Sequence, residues 1–576
     1  MASSRKTTAP YGSWKSPITS DLASVAEKRL SGVAVADDGR LIWVDPRPHQ
    51  GGRAALVMEP KNSETAPMDL IPESYDARTR AQEYGGGAFA IKDGILMFSN
   101  YKDQRLYKHS LGGHSPVALT PDYGGPLVHY ADGIFDPYFN RYITVMEDCR
   151  QSSLNPTTTI ATISLSSGDI QEPKQLIIGS DFYAFPRVDP SRKRMAWIEW
   201  SHPNMPWDRS QLWLGCFSEV GQNGRSYLGI IDYELGSFSP LDIPFSDVLN
   251  IVSGTEYFYL EGASPSQPLS IAKVTLEKLS KVKEFSIVWS SSPDLYKYKP
   301  YFSFPEVIKF PTEISGQSAY AYFYPPLNAD FQAPLDERPP LVVRAHGGLT
   351  GEARAILDLY IQFWTGRGWG FLDVNYGGST GYGRAYRERL LGQWGIVDVN
   401  DCCSCAKFLV EQGKVDGERL CITGRSAGGF TTLACLAFKD TFKAGASLFG
   451  VADLSLMSAE THKLESHYIK NLVGKEKDFL ERSPINSVHK ISQPVILFQG
   501  LDDKVVPPDQ SQKIYNALKE KGVPVALVEY EGEQHGFRKA ENIKFTYEQQ
   551  MMFFSRLVGH FDLADNIIPI KIENFD

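Results

Sequence analysis

The chain has 576 residues, 42% of them hydrophobic and 12% aromatic, too long for one ordinary core and apolar enough for two or three domains. Its formal net charge of -9 leaves no basic footprint for nucleic acid or an anionic membrane surface. No run approaches the ~18 consecutive apolar residues of a membrane span, and seven cysteines, an odd number, make no disulfide framework.

Met1 to Ser20 carries serine, threonine and a few basic residues but no apolar h-region, so it reads as an N-terminal extension (1–20) and not as a secretory signal. Reduced thiols point to the cytoplasm, with an organelle lumen such as the plastid left open. From about Leu30 to Trp289 short strands are separated by turns: Gly32 to Ala36 and Leu41 to Val44 around Asp37-Asp38-Gly39-Arg40, Ala88 to Ile91 and Ile95 to Phe98 around Lys92-Asp93-Gly94, then Arg141 to Glu147. Asp-Gly between apolar runs is a hairpin signal, because glycine supplies the positive φ of a tight turn. The strand-turn pattern recurs near Leu41, Ile95, Tyr142 and Met195, where Asp189 to Arg194 forms the preceding turn. Such repetition predicts an all-β propeller over 21–295. Gly85-Gly86-Gly87 lacks the strand-to-helix setting of a phosphate loop and reads as a plain turn.

Near Pro300 the pattern changes, predicting an α/β domain over 296–576. The apolar strands Leu341 to Ala345, Gly370 to Asn375, Leu420 to Thr423, Gly445 to Phe449, Val495 to Gln499 and Val525 to Tyr530 alternate with helical stretches, the signature of a mostly parallel sheet covered on both faces. Cys402, Cys403 and Cys405 fall on one of those helices with no second Cys or His pair at zinc-finger spacing. They read as reduced thiols, and no metal or organic cofactor is expected.

Ligands of such a sheet bind at the carboxyl ends of its strands, and three strand ends carry chemistry. Gly424-Arg425-Ser426-Ala427-Gly428-Gly429 sits between a strand and the helix Phe430 to Phe438. A Gly-x-Ser-x-Gly match alone arises by chance in roughly one chain of this length in four, so the setting matters: strand, sharp turn, helix is a nucleophile elbow, with the N-H of Ala427 placed for an oxyanion. Asp502-Asp503 follows Val495 to Gly500, and His535-Gly536-Phe537 follows Val525 to Tyr530. The order Ser, Asp, His is that of α/β-hydrolases, with the histidine as general base and one of the two aspartates as its orienter. His346-Gly347-Gly348 after Leu341 to Ala345 supplies a glycine loop for a second oxyanion donor, His346 itself shaping the loop. Tyr382 and Phe449 are candidate pocket walls, with core packing as the alternative.

These motifs, together with Asn375 to Gly383, Trp394-Gly395 and Glu83 to Gly87, resemble the prolyl oligopeptidase family of serine peptidases, in its acylaminoacyl-peptidase-like and dipeptidyl-peptidase-like branch. The resemblance implies a propeller over an α/β-hydrolase domain, Asp503 as the catalytic acid by its distance from Gly500, and Gly348 and Ala427 as backbone oxyanion donors. It implies short peptides as substrates, no cofactor, and assembly into dimers or larger oligomers. Gln211 to Gly215 looks like the end of one blade, while Gln222 to Gly229 resembles a strand from a blade considerably further on. With about 40 to 45 residues per blade, the first half predicts fewer than seven blades, short by roughly two. The leading function is therefore a serine peptidase acting on short or N-acylated peptides; an esterase or small-amide hydrolase with the same residues, and an inert propeller scaffold, are the alternatives.

Overall fold

The computed structural model describes residues 6–26, 30–61, 65–113, 115–137, 139–166, 168–188, 195–212, 220–222, 225–232, 237–253, 257–277 and 281–576. The first half forms a ring of small antiparallel sheets. Four have four strands, beginning with Val33–Val35, Phe89–Lys92, Val128–Asp136 and Asp247–Ser253, and one has three, beginning with Phe182–Val188. The first strand of the last sheet packs on that of the first, closing the ring on that side. Two hairpins, Val220–Gln222 with Arg225–Tyr227 and Gly229–Asp232 with Ser237–Pro240, lie in sequence between the three-stranded and the last sheet.

Strand periodicity explains how the sheets stack. Along Leu41–Arg47, Ile42 and Val44 enter a core shared with Phe89, Leu96 and Phe98 of the next sheet, while Leu41 and Trp43 enter one shared with Tyr259 and Ile271 of the last. Alternate side chains thus feed opposite interfaces, which is why these strands are apolar on both faces. The Asp93-Gly94 turn takes φ of 49° and 69°, the left-handed pair a tight hairpin requires. Among the described residues, five sheets of three or four strands with two hairpins between the fourth and the last agree with the expectation of fewer than seven blades. The expected turn at 189–194 and the junction residues 213–219, Cys216 included, lie outside the described residues.

The second half is an eight-stranded sheet. We label its strands β1 (Glu306–Pro311), β2 (Ser318–Tyr324), β3 (Leu341–Ala345), β4 (Gly370–Asn375), β5 (Leu420–Arg425), β6 (Ala444–Leu448), β7 (Val495–Gly500) and β8 (Val525–Tyr530). The order is β1-β2-β4-β3-β5-β6-β7-β8, with β1, β2 and β4 antiparallel neighbours and the rest parallel. The central strands are buried on both faces, as a parallel sheet under two helical layers demands. The six described cysteines are free thiols, and Cys402, Cys403 and Cys405 are buried on the helix Val397–Glu411. Among the described residues no helix is long and apolar enough to cross a membrane.

One boundary differs from expectation. The helix Ser20–Ala26 packs on Ala540–Phe554, Ile18 and Ala23 belong to the hydrolase core, and Thr7–Thr8 pairs with Phe331–Gln332. Residues 7–26 therefore pack on the α/β domain, past the expected boundary at 21 and ahead of the first propeller strand at Val33; a stretch without hydrophobic periodicity gave no sign of which domain it would clamp. Arg367 fixes that clamp. Only 1% exposed, it forks onto Asp565 at 2.6 and 2.8 Å and donates to the carbonyls of Ile18 at 3.0 Å and Phe363 at 2.9 Å.

The tightest crossing is at the end of β5. A Cβ on Gly428 would lie 2.1 Å from the Ala345 carbonyl oxygen, and one on Gly424 would lie 2.2 Å from that of Gly428. The helix Ala427–Phe438 can approach β3 only without side chains there. Gly428→Ala is therefore expected to cost about 3 kcal/mol or more, read as a lower midpoint of the hydrolase-domain unfolding transition. Arg367→Ala strands Asp565 and two carbonyls and is expected to cost about 3 kcal/mol in the same assay; a midpoint within error of wild type would refute either account.

Candidate active site

Ser426 stands between β5 and the helix Ala427–Phe438 with φ 55° and ψ -119°, a strained backbone for a residue with a side chain. Neighbours on both sides hold it there: its N-H donates to Leu448 O at 3.0 Å and its carbonyl accepts from Phe430 N at 3.0 Å. The turn thrusts Oγ out of the sheet edge toward His535, whose Nε2 lies 2.8 Å away. The other ring nitrogen, Nδ1, lies 2.8 Å from Asp503 Oδ2. With its proton on Nδ1 facing a carboxylate, the imidazole turns the Nε2 lone pair to the serine hydroxyl.

Asp503 follows β7 and is buried; its Oδ1 accepts from the N-H groups of Val505 and Val506, both at 2.9 Å. Asp502 is exposed, and its N-H donates to Glu533 O. The turn thus brings Asp503 to the histidine and leaves Asp502 outside. Phe449, after β6, has φ 39° and packs its ring edge-on against His535 at 4.9 Å and Phe537 at 5.2 Å. It fills the space beside the imidazole and lines the cavity onto which Ser426 opens.

The glycine loop after β3 runs past the serine. A Cβ on Gly347 would be 3.8 Å from that of Ser426, and Gly348, at φ +71°, lines the same cavity. His346 shapes this loop: its ring stacks on Tyr376 at 4.2 Å, Nε2 lies 2.7 Å from Ser379 Oγ, and burial pulls its pKa down to about 4. Ala427 is the first residue of the helix. Tyr382 needs correction, because it is not on this cavity. Its ring stacks on Tyr320 at 4.7 Å and its hydroxyl accepts from Asn375 Nδ2 at 3.1 Å, so packing explains it.

The cavity, of about 1410 Å³, lies between the two domains. Its roof is propeller, including Arg78, Arg80, Glu83, Tyr84 and Tyr101. Tyr84 OH donates to Glu465 Oε1 at 2.8 Å, and Tyr101 OH bonds Gln534 Oε1 beside His535. Partial burial and the charge of Glu147 push the Glu83 carboxyl up, while burial also raises Glu465. Sequence reasoning read Gly85 to Gly87 as a turn and Glu83 to Gly87 as a motif of the resemblance, but assigned none of these roof residues to the cavity. The signal is conformational: Gln82 and Glu83 both hold positive φ, 54° and 64°, which no local pattern announces.

Residues 356–561 match the model of the prolyl oligopeptidase family. Dipeptidyl aminopeptidase BIII of Pseudoxanthomonas mexicana is 29% identical over 255 residues, 42% of this chain and 37% of that protein. Acylamino-acid-releasing enzyme 1 of Oryza sativa subsp. japonica is 29% identical over 218 residues, 35% of this chain and 28% of that protein. The matches to these curated relatives therefore span less than half their length. A solved puromycin-hydrolyzing peptidase of Mycobacterium tuberculosis superposes with a TM-score of 0.90 at 31% identity, covering 99% of this chain and 100% of that one. The acylaminoacyl peptidase of Pyrococcus horikoshii, with a TM-score of 0.66 at 15% identity over 94% of this chain and 98% of that one, shares the fold. A likeness that runs through both halves of the chain, together with the family match over most of the α/β domain, establishes that this chain belongs to the prolyl oligopeptidase family.

Proposed function

We propose that the chain is a serine peptidase that cleaves short peptides, N-acylated ones included, through an acyl-enzyme. The observation that carries this reading is the hydrogen-bonded line from Ser426 Oγ through His535 to Asp503, each link 2.8 Å, opening on the interdomain cavity. In this scheme Ser426 Oγ attacks the scissile carbonyl as His535 Nε2 takes its proton. The carbonyl oxygen becomes an oxyanion that the N-H groups of Ala427 and Gly348 stabilise. Collapse breaks the C-N bond, and the proton on Nε2 passes to the leaving amine. A water then repeats the cycle on the acyl-serine, with Nε2 again as base, and frees the acid. Asp503 holds the Nδ1-H and stabilises the imidazolium formed in each half-reaction.

The size of the cavity supports peptides over single small molecules, for which pockets of about 300–1,000 Å³ suffice. Its roof carries Arg47, Arg78, Arg80 and the Glu83 carboxyl, suited to the charged and amide groups of a short peptide. The names dipeptidyl aminopeptidase and acylamino-acid-releasing enzyme point the same way, while the puromycin-hydrolyzing peptidase names one small molecule besides.

A fluorophosphonate probe should label the wild type stoichiometrically, with labelling lost in Ser426→Ala and steeply reduced in His535→Ala, as read by intact mass. Asp503→Asn should lower kcat/KM by about 10³- to 10⁴-fold, while Asp502→Asn stays within a few-fold of wild type. An unlabelled but folded wild type would sink the hydrolase reading in favour of a scaffold. On substrates, free and N-acylated peptide anilides should both be turned over; activity on simple esters alone would instead establish an esterase.

A further inference from the structure

Away from Ser426, three metal-ligating side chains meet on the third propeller sheet. His129 on Val128–Asp136 lies directly opposite Glu147 on Arg141–Asp148 in the antiparallel ladder, so both side chains leave the same face. Cys149 is two residues beyond Glu147, the spacing that returns a side chain to that face, and its N-H is tied to Leu127 O at 2.9 Å. His129 Nδ1, a Glu147 carboxylate oxygen and Cys149 Sγ all lie within 4.8 Å of one another. Nδ1 is 2.9 Å from Glu147 Oε2 and 4.0 Å from Sγ.

We infer that His129, Glu147 and Cys149 form a binding site for a divalent cation of the zinc class. The donor set is one sulfur, one imidazole nitrogen and one carboxylate oxygen. That combination suits zinc and its neighbours and is foreign to calcium or magnesium, which take oxygen ligands. The far ring nitrogen of His129, Nε2, faces the Pro126 carbonyl at 3.1 Å. An imidazole that donates there keeps Nδ1 free to ligate, the usual outer support of a metal-bound histidine. Tetrahedral bonds of about 2.0–2.3 Å set ligand atoms about 3.4–3.6 Å apart. Binding therefore asks the 2.9 Å contact to open and the 4.0 Å contact to close, by roughly half an ångström each on that geometry.

The surroundings are acidic. Glu83 and Asp148 lie close enough to Cys149 to act on it. Three protein ligands leave a fourth position for water or for a further carboxylate. The site is also linked to the catalytic cavity. Glu147 Oε2 accepts the Gln82 N-H at 3.0 Å, and Gln82 begins the positive-φ turn that presents Glu83 and Tyr84 to the roof. A bound cation would stiffen that turn without entering the reaction.

Cobalt provides the test. The full chain is stripped with a chelator and titrated with Co²⁺, its fold checked by circular dichroism. A single equivalent should bind with tetrahedral d-d absorption and a thiolate-to-cobalt charge-transfer band, both displaced by Zn²⁺. Cys149→Ser should lose the charge-transfer band, and His129→Ala should bind about tenfold or more weakly. Absence of the band in folded wild type, or its persistence in Cys149→Ser, would overturn the site and leave His129 and Glu147 as a hydrogen-bonded pair alone. If either variant fails to fold, the wild-type titration still decides.

Discussion

The approach of the helix Ala427–Phe438 to the end of β3 is the constraint on which the site depends. Gly428 and Gly424 leave no room for a Cβ on either side of Ser426, and Gly429 meets Gly450 in the same way, where a Cβ would lie 2.6 Å from the Gly450 Cα. Because backbone touches backbone, the serine cannot relax out of φ 55° without moving a strand. The same closeness brings the Gly347-Gly348 loop alongside Ser426, so one packing event places both the serine and the glycine loop beside it. A looser crossing would keep every residue and lose the arrangement.

Neighbouring strands complete the site by a shared rule. Parallel strands end on one edge, so loops after β3, β5, β6, β7 and β8 meet although they span residues 346 to 537. Asp503 is held by two backbone N-H groups of its own turn, and His535 is braced by Phe449 from one side and Asp503 from the other. The propeller then meets the hydrolase domain through polar contacts, Tyr84 with Glu465, Lys463 with the carbonyls of Pro156 and Asp181, and Arg354 with Asp247, and through apolar ones, with Met205 in the hydrolase core and Trp207 edge-on to Tyr468.

The α/β half was legible because its signals are local. Apolar runs of strand length, an elbow whose glycines are sterically compulsory and strand ends carrying Asp and His all write themselves into short stretches of sequence. The propeller was legible through Asp-Gly turns and alternation, but not the docking of residues 7–26 on the hydrolase domain, since nothing in a short irregular segment names its partner. Tyr382 misled for a related reason: an aromatic in a glycine-rich loop looks the same whether it faces a cavity or stacks on Tyr320. His129, Glu147 and Cys149 went unremarked because their meeting rests on strand register, which spacing along the chain does not reveal.

Strain completes the picture of where function resides. Of the side-chain-bearing residues at positive φ, Asp93, Asp132, Asn140 and Asn574 are of the type that tolerates it in turns. Glu83, Ser426 and Phe449 are not, and all three line the cavity, with Gln82 and Leu349 flanking it in sequence at φ 54° and 32°, while Gln104 and Phe185, at 58° and 50°, lie away from it. A non-glycine residue in this region costs on the order of 1 kcal/mol or more, so conformations of this kind persist only where surrounding contacts overrule them. Here those contacts are the β5–helix crossing for Ser426, the His535 and Phe537 rings for Phe449, and the Glu147 carboxylate for the Gln82 turn. The roof of the cavity is thus held by the same means as its floor: backbone forced into an unfavourable shape so that one side chain lines the cavity.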